Sequence, residues 1–348
     1  MKYYLKYKFD LNININIYII IQMGINGLNT FIKEKIPNAI QEIHLKRFKG
    51  SRVAVDTSIY FYKFLYKNDR FIEGFFQQIY RLMLNGITPI YIFDGTPPPE
   101  KKETLLLRKE KREELKKNIP IIEDKINSLG DYMTKQHDIF ELNKLKKKNI
   151  RVTTFHRNTL KSFLDMIGIP YFQAEGEADI VCNTLFKNGT VELVLSDDMD
   201  LLVSGTDKLL RNFNVSSNKI MYYDVKKIIS MLELDESKWL NLCILSGCDY
   251  CQRIPGIGIK NAYKYVTKYD SIHDILDILK DKAPDDYLEK FNKSKMLFLK
   301  VDASDAVKMI KIDKKNIEDT TKLKEYLTIN TNLTEKQIDN RVKIINLH

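Results

Sequence analysis

The sequence predicts an α/β fold with a mostly parallel central sheet flanked by helices, and three observations point there. Short apolar segments with the character of buried strands alternate with helical stretches. Several of those segments end on an acidic residue. The chain, at 348 residues with 44% hydrophobic and 29% charged residues, is long enough for one large domain or two moderate ones and excludes a disordered or fibrous protein. No uninterrupted apolar run approaches the roughly 18 residues that a membrane span needs. The four cysteines, Cys182, Cys243, Cys248 and Cys251, are not a disulfide framework, so a reducing intracellular setting is expected.

Taken in order, residues 1–22 (MKYYLKYKFDLNININIYIIIQ) look foreign to the rest. No small-residue cleavage site follows, which argues against a secretory signal. Met23 opens an ordinary domain start, MGINGLNTFIKEKIP, and translation or processing is expected to begin there. Leu28 stands where a myristoylation motif after Gly24 needs Ser or Thr. The strand-like run Arg52–Asp56 leads into a helix with Tyr60, Tyr62, Phe64 and Leu65. A second helix, about 71–84, stops at Asn85-Gly86, a suitable C-terminal cap. Pro89–Asp94 reads as the next strand, a helix around 155–167 ends at Gly168, and Ile169–Phe172 follows as another strand. A helix-like AEGEADIVCNTLFKNG and then VELVLSDDMDLLV complete the alternation.

Charge is unevenly placed. The chain carries 56 Lys+Arg against 46 Asp+Glu, a formal +10. Residues 101–151 hold 15 basic and nine acidic residues, a surplus of six; residues 1–22 hold a surplus of two. The run KKETLLLRKEKREELKKN reads as a charged helix with a thin apolar seam of Leu105, Leu106 and Leu115, and 142–151 is a second basic stretch. Alone, such a pattern is more often a solvated helical hairpin than a binding surface.

The acids say more. In mostly parallel sheets ligands gather at the carboxyl ends of strands, and three strands here deliver carboxylates to that edge: Asp56, Asp94, and the group Asp197, Asp198 and Asp200. A lone acid at a strand end is often just a cap for the next helix. Three such ends together with Glu175 and Glu177 would repel one another strongly unless cations neutralised them. Acids without His or Cys partners select hard cations, Mg²⁺ or Mn²⁺ rather than zinc, and paired ions of this kind serve in-line phosphoryl transfer to water.

A different signal lies in LCILSGCDYCQRIPGIGIKNAYKYV (242–266). Its Pro255-Gly256-Ile257-Gly258-Ile259-Lys260 turn, between two helices, resembles one that offers backbone amides and a helix N-terminus to a phosphate. Glycine also suits any tight interhelical turn. Cys248-x-x-Cys251 has no second CxxC partner and sits in apolar helical sequence, against a zinc or redox site.

Together MGINGL (23–28), VAVDTSIYFYKFL (53–65), YIFDGTPP (91–98), AEGEAD (174–179), SDDMDLLV (196–203) and LCILSGCDYCQRIPGIGIKNA (242–262) resemble the flap endonuclease (XPG-like) family of structure-specific 5′ nucleases. The resemblance runs in order from Met23 to about residue 300, with a thinner similarity at 333–345. It implies a PIN-like nuclease core with a helical arch and a helix-two-turn-helix DNA-binding element. It further implies two Mg²⁺ ions, replaceable by Mn²⁺, held by Asp56, Asp94, Glu175, Glu177, Asp198, Asp200 and Asp249, with Glu177 between them. Lys101 and Arg108 would face the scissile phosphate, where cations are needed to offset the carboxylates and steady the transition state. The rest of 101–151 would form the arch around a 5′ single strand. Tyr62 would stack on a base beside the cut, its alternative role being core packing. Gly24 would lie near the site, and the turn with Gly256, Gly258 and Lys260 would hold duplex DNA, with K⁺.

The implied organisation is an extension at 1–22 outside the fold, an N-terminal nuclease region at 23–130 with its arch from about 101, an internal nuclease region at 131–240, a helix-two-turn-helix region at 241–300, and a helical tail at 301–348. Asp179 is an additional acid where the family usually has a small or neutral residue, and is expected to support the site from outside or face solvent. With Gly24 near the ions, anything before Met23 would leave through the DNA-binding face. No Gln-x-x-aliphatic-x-x-aromatic-aromatic motif ends the chain, so sliding-clamp tethering is not expected; a monomer acting on branched or flapped DNA, without a membrane, is. The location would be the nucleus in a eukaryote, otherwise a viral or cytoplasmic site of DNA replication. A 5′→3′ exonuclease or junction resolvase of the same family, or a non-catalytic nucleic-acid-binding relative, are the alternatives.

Overall fold

The computed structural model describes residues 24–67, 70–128, 149–302 and 312–347, with scattered residues between 138 and 146 and at 307 and 310. The 1–22 extension lies outside them, as do residues 144, 147 and 148 of the second basic stretch.

Seven strands form one mixed sheet: β1 (Ile40–His44), β2 (Arg52–Asp56), β3 (Thr88–Phe93), β4 (Tyr171–Gln173), β5 (Leu193–Leu195), β6 (Lys208–Arg211) and β7 (Lys219–Asp224), in the order β1-β7-β6-β5-β2-β3-β4. From β6 to β4 every pairing is parallel; β7 runs antiparallel to both β6 and β1. The central strands and their helices match the expected alternation. The antiparallel margin of β1 and β7 was not anticipated.

Helices cover both faces, which is why the central strands are apolar without interruption. Successive side chains alternate sides. Val53, Val55, Tyr91, Phe93, Leu193 and Leu195 enter one core. Ala54, Ile90, Ile92 and Val194 enter the other. By the same alternation Asp56 and Asp94 fall on the side of Ala54 and Ile92, at the carboxyl ends of parallel neighbours whose register pairs Asp56 with Ile92. That second core also takes in Leu242, Ile244, Val266, Ile275 and Phe291, so the C-terminal helices pack directly behind the acidic edge.

Local signals set the helix ends. The helix Phe71–Leu84 stops at Asn85, followed by Gly86 with φ 74°. Thr153 caps the helix Thr154–Ile167, which ends on left-handed Gly168 at φ 72°. The helix-like segment at 174–189 begins later than its sequence suggests: the helix is Ala178–Lys187, with Glu177 as N-cap and 174–176 in a loop. The basic helix is longer than expected, Lys102–Ser128, and runs through Pro120. Its seam is thinner still, because Leu105 and Leu115 are half-buried but Leu106 is exposed.

Candidate active site

Strand ends and loops gather seven carboxylates along one edge of the sheet. Asp56, at the end of β2, is 3% exposed; its Oδ2 accepts from Ser196 Oγ at 2.8 Å and its Oδ1 from the Ser58 N–H at 3.0 Å. Asp94, just past β3, accepts from the Ser58 hydroxyl and from the Ala178 N–H at 2.8 Å. Asp198 and Asp200 lie in the turn after β5, where the Asp200 N–H donates to Asp198 Oδ1 at 3.0 Å. Asp249 follows the helix Glu236–Leu245 and is also buried.

The loop at 174–177 departs from the expected set. Gly95 N–H donates to Gly176 O and Thr96 N–H to Glu175 O, both at 2.7 Å. This pairing holds the Glu175 backbone against the Asp94 loop, and the Glu175 side chain is exposed. Glu177 turns inward, 6% exposed. Asp179, in the first turn of the helix that follows, faces Asp198, Asp56 and Glu177 closely enough that burial and those three charges push its carboxyl well above the usual range. The structure therefore brings Asp179 to the cluster and leaves Glu175 out. The available signal was spacing: Glu177-Ala178-Asp179 repeats the acid-x-acid pattern of Asp198-Met199-Asp200.

Gly24 is packed against the same edge. Its φ is 78°, and a Cβ there would collide with Asp198 Oδ1 and lie 2.9 Å from Asp200 Oδ1. The following Asn26 ties this segment to the Asp249 side, its N–H donating to Gly247 O at 3.0 Å.

The acids are strained electrostatically. Burial, then Asp94 and Asp198, raise Asp56 to about 8. Burial also raises Asp198, and burial with Asp198 and Asp249 raises Asp200 well above its ordinary value. Burial raises Glu177 against the opposing pull of Lys101. Burial alone would lower the Lys101 ammonium, but Glu177, Asp179 and Asp249 hold it above the usual lysine value. Lys101 pairs with Glu177 and lies 3.3 Å from Asp249 Oδ2, while Arg108 Nη2 reaches Asp249 Oδ1 at 2.6 Å. Thr104 Oγ1 donates to Asp249 O at 2.7 Å, so the first turns of the basic helix are fastened over the acids. Both expected cations thus reach the site.

Among the described residues no three Asp, Glu, His or Cys side chains form a ready cage for an ion. The donor set nonetheless suits hard divalent cations: all seven groups are carboxylates, most are buried, and burial together with neighbouring carboxylates raises Asp56, Glu177, Asp179, Asp198 and Asp200. Asp200 Oδ1 is buried without a hydrogen-bond partner in the protein, an acceptor of the kind a cation would satisfy.

Tyr62 is half-buried on the helix Thr57–Lys67, beside the cluster in sequence. The remaining expected residues lie apart from it. Gly256, with φ 78°, and Gly258, the N-cap of the helix Ile259–Lys268, form the interhelical turn, whose Gly256 O accepts from Asn261 Nδ2 at 3.1 Å. Lys260 is exposed and pairs with Glu34 at 2.7 Å. All four cysteines are buried with free thiols, and burial raises each of them, so they are poor ligands and nucleophiles. No helix among the described residues is long and apolar enough to cross a membrane.

Residues 23–115 match the XPG N-terminal domain and residues 168–249 the XPG I-region. Flap endonuclease 1 of Xiphophorus maculatus is 34% identical over 304 residues, covering 82% of this chain and 77% of that protein. The Drosophila yakuba flap endonuclease 1 is 33% identical over 342 residues, covering 92% and 84%. Among solved structures, the catalytic core of Rad2 superposes with a TM-score of 0.64 at 20% identity, covering 93% of this chain and 99% of that one. Flap endonuclease-1 from Methanococcus jannaschii also gives 0.64, at 23% identity, covering 88% and 95%.

Proposed function

The chain belongs to the flap endonuclease family of XPG-like nucleases, and from that membership we infer that it is a DNA-hydrolysing, structure-specific 5′ nuclease acting on flaps in replication and repair. The observation that carries the reading is the convergence of seven carboxylates with Lys101 and Arg108 at one sheet edge. A non-catalytic relative would have no need to keep so many mutually repelling buried acids.

The residues that would hold two Mg²⁺ or Mn²⁺ ions are Asp56, Asp94, Glu177, Asp179, Asp198, Asp200 and Asp249, with Asp179 in place of Glu175. Bound there, the ions would supply the positive charge needed for a phosphodiester to approach and for water to attack it. The chain's own contribution is positional. Ser58 and Ser196 hold the Asp56 and Asp94 carboxylates in fixed rotamers through hydrogen bonds. Lys101 and Arg108 pair with Glu177 and Asp249; with those acids engaged by ions, both side chains would turn to the phosphate and stabilise charge developing in the transition state. The exposed charges along Lys102–Ser128 suit a single strand carried past the site, and the Gly256–Lys260 turn suits the duplex backbone, K⁺ included. Tyr62 would contact a base near the cut.

The test is incubation of purified protein and Mg²⁺ with an end-labelled 5′-flap duplex. Wild type should release the flap near the junction, and Asp200→Ala should bind the same DNA without cutting it. Undiminished cleavage by Asp200→Ala would sink the assignment. Product sizes on nicked and four-way substrates separate flap cleavage from exonuclease and resolvase preferences.

A further inference from the structure

Behind the acidic edge lies a buried ionic group that the site described above does not use. Asp197 has a fully buried side chain, and its Oδ2 pairs with Lys63 Nζ at 3.1 Å, the Lys63 side chain itself being only 13% exposed. Its Oδ1 accepts from the Asn212 N–H at 2.5 Å, and its backbone carbonyl accepts from Arg211 Nη2, also at 2.5 Å. Asn212 sits at φ 57°, a left-handed conformation uncommon outside glycine, and the bond to Asp197 holds it there. Arg211 is 2% exposed and reaches Tyr223 Oη at 3.3 Å; the Tyr223 hydroxyl in turn donates to Asn29 Oδ1 at 2.8 Å. Asn29 lies on the helix Leu28–Lys35, close behind Gly24.

This group is joined directly to two of the acids. Ser196, the residue before Asp197, donates its hydroxyl to Asp56 Oδ2 and accepts from the Asp198 N–H at 3.0 Å. One side-chain oxygen therefore spans the end of β2 and the turn after β5. Its position depends on Asp197, which is pinned from the far side by three bonds, two to its carboxylate and one to its backbone carbonyl. Lys63 and Arg211 bring two positive charges against one carboxylate, leaving a net positive charge behind a cluster of repelling acids, where it opposes their mutual repulsion.

We propose that Asp197, clamped by Lys63 and Arg211, is a positioning residue that fixes Ser196 and so sets the separation of Asp56 from Asp198 and Asp200. The role rests on the reading that these acids bind divalent ions, and it acts on ion affinity rather than on DNA binding. Residues that orient ligands from behind commonly change ion affinity by about 10- to 100-fold when removed.

The experiment uses the full chain, with Mn²⁺ alone as the probe, titrated calorimetrically. Lys63→Met should raise the Mn²⁺ dissociation constant about tenfold, and Lys63→Arg should restore it. In the cleavage assay Lys63→Met should lower kcat at low Mn²⁺, recover it at high Mn²⁺, and leave the KM for flap DNA unchanged. A folded Lys63→Met protein with wild-type Mn²⁺ affinity overturns the proposal, even if its melting temperature falls, because a merely structural pair predicts that outcome. Wild-type protein that binds no Mn²⁺ overturns instead the underlying reading of the site. If circular dichroism shows Lys63→Met unfolded, Lys63→Gln, which keeps a donor but removes the charge, carries the same comparison.

Discussion

Asp94 Oδ1 accepts a hydrogen bond at 2.8 Å from the N–H of Ala178, the first residue of the helix Ala178–Lys187. An orphan amide at a helix N-terminus is thereby satisfied by an acid from another strand. The bond fixes where the helix begins and turns Glu177 and Asp179 toward the other carboxylates. Asp179→Asn should therefore lower kcat by about a hundredfold or more, a loss comparable with removing one electrostatic group from a reacting centre. Glu175→Gln should stay within about twofold of wild type, as expected for an exposed side chain. Cleavage rates of the two variants at saturating Mg²⁺ decide it; the opposite ranking would return Glu175 to the ligand set.

That choice between two acids could not be made from spacing alone. The strands ending at Asp56 and Asp94 were readable because an uninterrupted apolar run ending on an acid is a local pattern, and both faces of this sheet are covered. The loop at 174–177 is set by backbone pairing between Gly95 and Gly176, residues far apart in sequence, and no local propensity reports that register. The same limit hid β1 and β7, a strand pair drawn from distant parts of the chain. It also hid the partner of Lys63, a cation in the middle of a mostly apolar helix, which lies 134 positions away at Asp197.

Gly24 supplies a second prediction. Its positive φ and the collision a Cβ would make with Asp198 Oδ1 leave no room for a side chain. Gly24→Ala should cost roughly 1–3 kcal/mol from backbone strain alone and displace the acids it touches. Melting temperature and Mg²⁺ dependence of cleavage should both worsen. A variant that melts lower but keeps the wild-type Mg²⁺ requirement would show that the segment matters only to stability.

Metal removal should be visible without any substrate. Buried carboxylates that repel one another destabilise the ion-free fold, and ligands that bind only the native state stabilise it, by about 2.7 kcal/mol at a hundred times the dissociation constant. Mg²⁺ added to EDTA-treated protein should raise the melting temperature by several degrees. Asp200→Asn, which removes a buried charge with an unpartnered oxygen, should raise the ion-free melting temperature and blunt the response to Mg²⁺. An equal response in both proteins would place the ions elsewhere.

Core packing beside the site is dominated by aromatic rings. Phe75 is fully buried, with its ring 4.9 Å from Phe64 and 5.0 Å from Phe61, both edge-on. Those two rings belong to the helix that follows Asp56. Phe75→Ala should cost about 3–5 kcal/mol, whereas Phe75→Leu should cost less because it leaves a smaller cavity. Denaturant unfolding of the two variants measures the difference, and equal losses would mean the edge-on contacts contribute little beyond volume.

Lys260 tests the duplex grip separately from the chemistry. It is exposed on the first turn of the helix Ile259–Lys268 and pairs with Glu34 at 2.7 Å, a surface contact that adds little to stability. A lysine bound to phosphate releases a counterion, so its removal should reduce the slope of log affinity against log salt by about one. Lys260→Ala should weaken binding of duplex-containing substrates uniformly across sequences while leaving the melting temperature nearly unchanged. Glu34→Gln should have the opposite sign, slightly tightening binding at low salt, because it frees the ammonium from a competing carboxylate. Both effects should vanish on single-stranded DNA lacking a duplex arm. A salt slope unchanged in Lys260→Ala would remove this turn from the DNA-binding surface and leave the basic helix Lys102–Ser128 as the main source of the chain's attraction to DNA.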